Sequence, residues 1–234
     1  MVTQADHLSR RIAIIPARGG SKGLPGKNIK DFNGRPLIAW SVQAAIESGL
    51  FDTVVTSTDS ADIQRVAVAA GAEAPFLRPN ELATDTATSA DVVQDVLNRY
   101  PGHEWLCLLQ PTSPLRTSRD LIESWKLAEK PGIDAVISMS VQSHPIEWSL
   151  SVTPDARLQP IDKRNFRKRR QDIAPTYLPN GAIYWIKVSS FIKLKDFWTP
   201  DTAGYQMPNE RSVDIDSLYD FRLAEWAANH HFDT

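Results

Sequence analysis

Residues 11–28 read RIAIIPARGGSKGLPGKN, a short apolar run followed by a loop rich in glycine and cations. The run 11–16 is β-branched and apolar, which predicts a buried β-strand. Beyond the loop, residues 36–48 carry apolar side chains at helical spacing, and Gly49 follows as a C-terminal cap. Strand, loop and helix in this order open a βαβ unit, so this stretch predicts an α/β fold.

The same alternation of strands and helices continues along the chain. We predict strands at 53–58, 74–77, 105–109, 134–141, 182–188 and 213–216, and helices at 61–70, 90–100, 118–129 and 218–229. Short apolar strands that alternate with amphipathic helices predict a doubly wound, mostly parallel sheet covered on both faces. Sheets of this kind bind ligands beyond the carboxyl ends of their strands.

The organisation is that of one domain with an extension. Residues 1–10 are polar and without periodicity, so we expect a flexible leader there. A single domain over 11–234 suits a chain of 234 residues. Over about 140–178 the pattern loosens, with several prolines and a basic cluster, and we interpret this segment as an insertion.

Composition excludes several classes of protein. Hydrophobic residues make up 42% and charged residues 23%, the balance of a soluble globular protein. The net charge of −2 argues against a dedicated nucleic-acid binder. The single cysteine, Cys107, cannot form an intramolecular disulfide and is interpreted as an inert core residue. There is no secretory signal pattern and no apolar run near the ~20 residues of a membrane span, so we expect a cytoplasmic protein without a membrane partner.

The loop at 17–28 has the composition of a phosphate cradle. It holds four glycines and three cations. Glycine lets backbone N–H groups approach an anion closely, and arginine and lysine neutralise its charge. The spacing matches neither a Walker A loop nor a dinucleotide-binding fingerprint. A flexible surface loop is the alternative interpretation.

Six motifs stand out along the chain, and they are IIPARGGSKGLPGKN (14–28), STDS (57–60), LRPNELATDTATS (77–89), LLQPTSPLR (108–116), PNGAIY (179–184) and SVDID (212–216). In the same order, they resemble those of the cytidylyltransferases that activate sialic acid and related nine-carbon acidic sugars. The resemblance implies a Rossmann-like nucleotidyltransferase fold and a homodimer, with about 140–178 as a small dimerisation extension. It also implies a reaction, the transfer of CMP from CTP to the anomeric hydroxyl of a nine-carbon sugar acid with Mg²⁺, releasing pyrophosphate.

The resemblance further implies a CTP site at the glycine-rich loop and beyond it. Its members are Arg18, Gly19, Gly20, Ser21, Lys22, Lys27, Asn28, Arg78 and Ser89. The three cations would be catalytic, because fixed positive charge stabilises the charge that builds on the phosphoryl oxygens and on pyrophosphate. The last three residues would contact ribose or cytosine. Local alternatives are a surface pair between Arg78 and Glu81, and a cap by Ser89 on the helix near 90.

Asp214 and Asp216 are the candidate metal ligands and are also assigned to catalysis. In an extended segment, carboxylates two residues apart project from the same face and converge on one hard cation. The pair resembles the magnesium site of the family, where the ion would bridge phosphate oxygens and lower the pKa of the sugar hydroxyl. No residue is singled out as a general base. For Asp216, an N-cap of the last helix is the local alternative.

A second group of residues is implied for the sugar acid. It consists of Gln110, Arg170, Asn180, Tyr184 and Phe197. A guanidinium such as Arg170 fits a carboxylate bidentately. The other cations of the basic segment 163–170 form either a solvated face or a contact with an opposite subunit. For Tyr184 and Phe197, core packing is the alternative.

The identity of the sugar and the reaction class leave alternatives. Leu178 and Glu147 stand where some sialic acid members have basic residues, which makes legionaminic and pseudaminic acids candidates. Kdo is disfavoured, because the sequence QPTSP replaces the acidic motif of Kdo-activating relatives. Nucleotidyl transfer to a sugar 1-phosphate is the alternative reaction. A nucleotide-binding regulator without catalysis is a further alternative, and the intact aspartate pair argues against it.

Overall fold

A computed structural model describes residues 9–21 and 23–230. The strands are β1 (Arg11–Pro16), β2 (Asp31–Phe32), β3 (Arg35–Pro36), β4 (Thr53–Ser57), β5 (Trp105–Leu108), β6 (Ala135–Val141), β7 (Leu150–Val152), β8 (Leu158–Pro160), β9 (Tyr177–Lys187) and β10 (Thr202–Gln206). The helices are α1 (Leu37–Ser48), α2 (Ala61–Ala69), α3 (Ser89–Arg99), α4 (Ser118–Ala128), α5 (Val188–Leu194) and α6 (Leu218–Asn229). Residues 1–8 of the predicted leader lie outside the described residues.

Six strands form one mixed sheet in the order β10-β6-β9-β5-β1-β4. Strand β1 runs parallel to β4 and β5, and β10 runs parallel to β6. Only β9 among these six is antiparallel to its neighbours, β5 and β6. The predicted doubly wound, mostly parallel α/β fold is therefore confirmed. Strand β10 and helix α5 were not predicted.

The alternation within β1 explains why both faces of the sheet are covered. Ala13 and Ile15 belong to the hydrophobic core that includes α1 and α4, whereas Ile12 and Ile14 belong to the core that includes α3 and α5. All four side chains are completely buried. Successive side chains of a strand point to opposite faces, so one apolar run supplies two cores. Cys107 is also fully buried, and burial raises the pKa of its thiol.

The helix boundaries follow local capping signals. Gly49 ends α1 with a φ of 64°, in the left-handed region that glycine adopts readily. Thr88 caps α3 in a capping box with Asp91, and Ser217 caps α6 in the same way. The alternative interpretations of Ser89 and Asp216 as N-caps are therefore wrong, because in each case a neighbouring hydroxyl occupies the cap position.

Two predicted strands do not form. Residues 74–77 make no strand; Glu73, just before them, and Leu77, the last of them, form single bridges to Val55 and Thr58. Pro75 lacks the N–H that a ladder requires. Residues 213–216 also pair with no strand. Instead, the N–H of Ile215 donates to the carbonyl of Thr112 at 2.9 Å, which ties this segment to the loop after β5.

The segment at 140–178 holds a separate two-stranded sheet. Strands β7 and β8 pair with each other and not with the main sheet. Their apolar side chains are exposed, including Val152 at 67% and Leu158 at 63%. The predicted strand at 182–188 is longer than expected, because β9 begins at Tyr177 and continues the pairing with β6. In the part of the chain described, no helix is both long and apolar enough to cross a membrane.

Candidate active site

A cleft of about 420 Å³ lies beyond the carboxyl ends of β1 and β5. It opens where these strands end, at Pro16 and just after Leu108, as expected for a parallel sheet. Nine of the residues predicted from the sequence line it. They are Arg18, Ser21, Lys27, Asn28, Arg78, Ser89, Gln110, Asp214 and Asp216. The structure thus brings the cationic loop and the acidic pair into one cavity.

The glycine-rich loop and the acidic segment are in direct contact. Lys27 is 8% exposed, and its Nζ donates to the carbonyl of Ile215 at 2.6 Å and lies 3.2 Å from Oδ1 of Asp216. A Cβ added at Gly23 would overlap the carbonyl oxygen of Asp216. The loop needs glycine at this position because the backbone of the acidic segment occupies the space of a side chain. Lys22, the residue before Gly23, lies outside the described part.

A hydrogen bond from Asn28 stabilises the shape of the loop. Asn28 is 7% exposed, and its Nδ2 donates to the carbonyl of Arg18 at 3.0 Å. It follows Gly26, which adopts a φ of 64° at the start of a 3₁₀ turn. The side-chain amide of Asn28 therefore closes the loop on itself, in addition to the ligand role predicted for it.

Asp59, to which the sequence assigned no role, contacts two of the predicted site residues. Its Oδ1 accepts the N–H of Gly19 at 2.9 Å and lies 3.7 Å from Nη2 of Arg78. Arg78 is 5% exposed, so the predicted surface pair with Glu81 is wrong. Burial lowers the pKa of Arg78, and the Asp59 carboxylate opposes that shift. Asp59 lies within the STDS motif, which was the only signal for it in the sequence.

Arg18 is paired with an acidic residue across the cleft. Its Nη1 lies 2.9 Å from Oδ1 of Asp85 and 3.4 Å from the carbonyl oxygen of Thr84. Thr84 and Asp85 belong to the segment between α2 and α3, and both line the cleft. The guanidinium group of Arg18 is therefore held at the cleft wall, where a bound polyanion would contact it.

The aspartate pair flanks a buried residue. Ile215 is completely buried, while Asp214 and Asp216 keep solvent-exposed surface and line the cleft. Partial burial raises the pKa of Asp214, and the charge of Asp216 adds to this shift; a hydrogen bond from Thr112 and the Lys27 charge oppose it. Two carboxylates that face the same cavity form a centre of negative charge beside the cationic loop.

The donor set of this pair fits Mg²⁺. No group of three or more His, Cys, Asp or Glu side chains gathers as a metal cage in 9–21 and 23–230. Mg²⁺ is commonly held by one or two carboxylates together with substrate phosphates and waters, so a protein cage is not required. Asp214 and Asp216 supply two such carboxylates next to the predicted triphosphate site.

At Gly181 the backbone of β9 makes a local turn that brings it against Gln110, which lines the cleft. Gly181 has a φ of 79°, and a Cβ there would lie 2.7 Å from Oε1 of Gln110 and 3.5 Å from Oδ2 of Asp214. The pairing of β6 with β9 is irregular between Ile137 and Met139, opposite this turn. The irregularity and the glycine together place the Gln110 side chain against the backbone of β9.

The other predicted sugar residues lie outside the lining of this cleft. Asn180 is 6% exposed, and its amide group bonds Ser138 at 2.6 Å and Ser212 at 2.9 Å, so it holds β9 in place. The ring centroids of Tyr184 and Phe197 are 5.6 Å apart, and both rings pack against the core shared with α3. Burial raises the pKa of Tyr184, and the charge of Asp214 adds to the shift.

Arg170 is exposed and begins a 3₁₀ turn at Arg170–Asp172 in the extension. Its neighbour Arg169 pairs with Asp172 at 2.8 Å. The structure therefore places Arg170 on the surface of the extension, and it is not among the residues that line the cleft. Its predicted contact with the sugar acid stays a prediction.

Comparison with known proteins identifies similar sequences and folds. The profile of a family described as cytidylyltransferase matches residues 12–174. The N-acylneuraminate cytidylyltransferase of Streptococcus agalactiae is 41% identical over 215 residues, which cover 90% of this chain and 51% of that protein. The chain thus spans about half the length of these first relatives.

Other relatives match the chain over nearly their whole length. The pseudaminic acid cytidylyltransferase of Campylobacter jejuni is 31% identical over 94% of this chain and 98% of that protein. The CMP-N,N'-diacetyllegionaminic acid synthase of Legionella pneumophila is 36% identical over 92% of this chain and 95% of that protein. A solved CMP:2-keto-3-deoxy-manno-octonic acid synthetase complexed with CTP has a TM-score of 0.70 and 18% identity, covering 94% of this chain and 99% of that one, so it shares the fold.

Proposed function

Because the chain belongs to the cytidylyltransferase family, we propose that it transfers CMP from CTP to the anomeric hydroxyl of a nine-carbon sugar acid and releases pyrophosphate. One observation carries the proposal. The glycine-rich loop and the Asp214–Asp216 pair line the same cleft and touch through Lys27. A cationic cradle beside paired carboxylates suits a nucleoside triphosphate with its divalent cation.

The loop residues would bind the triphosphate and stabilise its transition state. The hydroxyl oxygen of the sugar bonds to the α-phosphorus of CTP, the bond from that phosphorus to the pyrophosphate oxygen breaks, and the hydroxyl proton is released to water. Negative charge builds on the phosphoryl oxygens and on the leaving group. Arg18, Lys22 and Lys27 are the cations assigned to that charge, and they stabilise it most when it is fully developed.

Asp214 and Asp216 would hold Mg²⁺ in this cleft. When bound, the cation offsets the charge of phosphate oxygens and lowers the pKa of a hydroxyl that it contacts. Lys27 lies 3.2 Å from Asp216, so the ammonium group balances part of the negative charge of the pair before a ligand arrives. The predicted nucleoside contacts, Asn28, Arg78 and Ser89, line the same cleft.

The sugar acid would bind at the Gln110 end of the cleft. Gln110 and Asp214 both face the turn at Gly181, which brings a hydrogen-bonding amide next to the proposed metal ligands. The relatives are named for three nine-carbon acids, N-acylneuraminic, pseudaminic and diacetyllegionaminic acid. We propose an acid of this class, with CTP as donor and the cytoplasm as the site of the reaction.

We also propose that two copies of the chain associate through the extension. The β7–β8 sheet and the residue that follows it expose apolar side chains that the main sheet does not cover, including Val152, Leu158 and Ile161 at 63% exposure or more. Burial of such surface favours association. Light scattering should give the mass of a dimer for the wild type and a lower mass for Leu158→Asp; a monomeric wild type at micromolar concentration would refute the homodimer.

The activity is tested by following pyrophosphate. Purified protein is incubated with CTP, Mg²⁺ and either N-acetylneuraminic, legionaminic or pseudaminic acid, with Kdo and a sugar 1-phosphate as comparison acceptors. We expect release with one or more of the nine-carbon acids, loss of release with EDTA, and recovery when Mg²⁺ is added in excess. Release with the sugar 1-phosphate alone would favour the other reaction class. CTP binding without release for any acceptor would favour a regulator.

A further inference from the structure

Arg116 is a buried arginine for which the proposed reaction has no direct use. It lies in the segment between β5 and α4 and is 2% exposed. Its Nε donates to the carbonyl of Ala182 at 3.0 Å, and its Nη2 donates to the carbonyl of Gln110 at 3.1 Å and to Oγ of Ser41 at 2.8 Å. One guanidinium therefore joins α1, the end of β5 and strand β9.

The burial of this group is energetically costly. Burial lowers the pKa of Arg116 to about 10, so the guanidinium is still charged at neutral pH. A buried charge needs hydrogen bonds to replace its hydration, and an apolar side chain of similar volume often serves a core equally well. Nε and Nη2 of Arg116 bond two backbone carbonyls and a hydroxyl, while its Nη1 is buried without a hydrogen-bond partner among the described residues. An arginine kept here at that cost points to a geometric role for the two bonded carbonyls.

The two carbonyls flank the contact between Gln110, which lines the cleft, and the backbone of β9 at Gly181. One belongs to Gln110 itself, and the other to Ala182, the residue after Gly181. The two segments approach so closely that a Cβ at position 181 would lie only 2.7 Å from Oε1 of Gln110. The guanidinium group of Arg116 thus bonds the main chain on both sides of the contact between the Gln110 side chain and the turn at Gly181.

We propose that Arg116 is a positioning residue for the sugar acid: by holding the Gln110 and Ala182 carbonyls together, it fixes the Gln110 side chain at the sugar end of the cleft. The inference rests on the proposed function. It assigns Arg116 to sugar binding and not to CTP binding, because the loop that cradles the triphosphate is held by other contacts, those of Asn28, Asp59 and Lys27.

Arg116→Lys is the first test, because lysine keeps the positive charge but lacks the planar guanidinium group that bonds both carbonyls. We expect the KM for the sugar acid to rise about tenfold, since a small displacement of a binding group weakens a site strongly. The KM for CTP should stay within about twofold. In a double-mutant cycle with Gln110→Ala, the two effects on sugar KM should be markedly less than additive, because Arg116 acts through Gln110.

Ser41→Ala provides a milder variant if Arg116→Lys fails to fold. The Ser41 hydroxyl accepts from Arg116 and donates to the Gln110 carbonyl at 3.3 Å. Its loss therefore weakens the hydrogen bonds that hold Arg116 and the Gln110 carbonyl in place. We expect a rise of about threefold in sugar KM. Ser48→Ala is the matched control, since Ser48 bonds only locally within and just after α1, and it should leave both KM values unchanged.

The outcomes separate this inference from the proposed function. An active wild type whose Arg116 and Ser41 variants shift both KM values equally, or whose cycle is additive, overturns the inference and leaves the reaction standing. Such a result, together with a lower Tm, would mark Arg116 as a purely structural residue. A wild type that transfers CMP to none of the sugar acids overturns both.

Discussion

The ammonium group of Lys27 lies 3.2 Å from Oδ1 of Asp216, although 189 positions of sequence separate the two residues. Lys27 follows the first strand, and Asp216 precedes the last helix. Because Lys27 is nearly buried and also bonds the carbonyl of Ile215, the contact fixes the distance between the two halves of the cleft. The predicted nucleotide site depends on this contact between the glycine-rich loop and the acidic segment.

Asp216→Asn is expected to lower kcat more than tenfold, a loss of over ~1.4 kcal/mol of transition-state stabilisation. Asparagine still accepts the hydrogen bond from Lys27 but lacks the charge that would attract a divalent cation. The rate of pyrophosphate release at saturating CTP measures the effect. Asp155→Asn, on the exposed turn of the β7–β8 sheet, is the control. Normal turnover in Asp216→Asn would refute the metal role.

Arg18→Ala should also lower kcat more than tenfold. Its guanidinium lies at the cleft wall, 2.9 Å from Asp85, and is assigned to the charge that develops on the triphosphate. Arg65→Ala is the matched control, because Arg65 is 78% exposed on α2 and pairs with Asp62 outside the cleft. Steady-state kinetics of both variants provide the check, and equal turnover in the two would remove Arg18 from the mechanism.

Gly23→Ala should destabilise the folded protein more than Gly20→Ala. An alanine Cβ at 23 overlaps the carbonyl of Asp216, which is backbone and cannot rotate away, whereas a Cβ at 20 has nothing within 4 Å. We expect a loss of about 1–3 kcal/mol in the free energy of unfolding for Gly23→Ala. Urea denaturation of the two variants measures it. Equal stability would mean that the loop and the acidic segment are not packed as described.

Arg170→Ala is expected to raise the KM for the sugar acid about tenfold and to leave CTP binding unchanged. The physical reason is the loss of a bidentate partner for the substrate carboxylate. Arg157→Ala removes another exposed arginine of the extension and serves as the control. Titration with CTP, together with sugar-acid kinetics, separates the two effects. Weaker CTP binding in Arg170→Ala would show that the residue belongs to the nucleotide site.

Local features of the sequence determined much of the fold. The apolar run of β1, the glycine after α1 and the amphipathic helices were predictable because each depends on neighbours within a few residues. The failure at 74–77 has the same local origin, since Pro75 removes a donor from the expected strand. The choice of cap was less predictable, because Thr88 and Ser89 are both good N-cap residues.

The sequence by itself determined the α/β alternation, the phosphate-cradle composition of the first loop and the spacing of Asp214 and Asp216. Each of these is a property of a short segment. Only the tertiary structure decided that Asp59 holds Gly19, that Arg116 joins Gln110 to β9, and that Phe197 packs against the core. These contacts join segments that are remote in sequence. Burial and strand register set them, and no local pattern specifies which distant groups will meet.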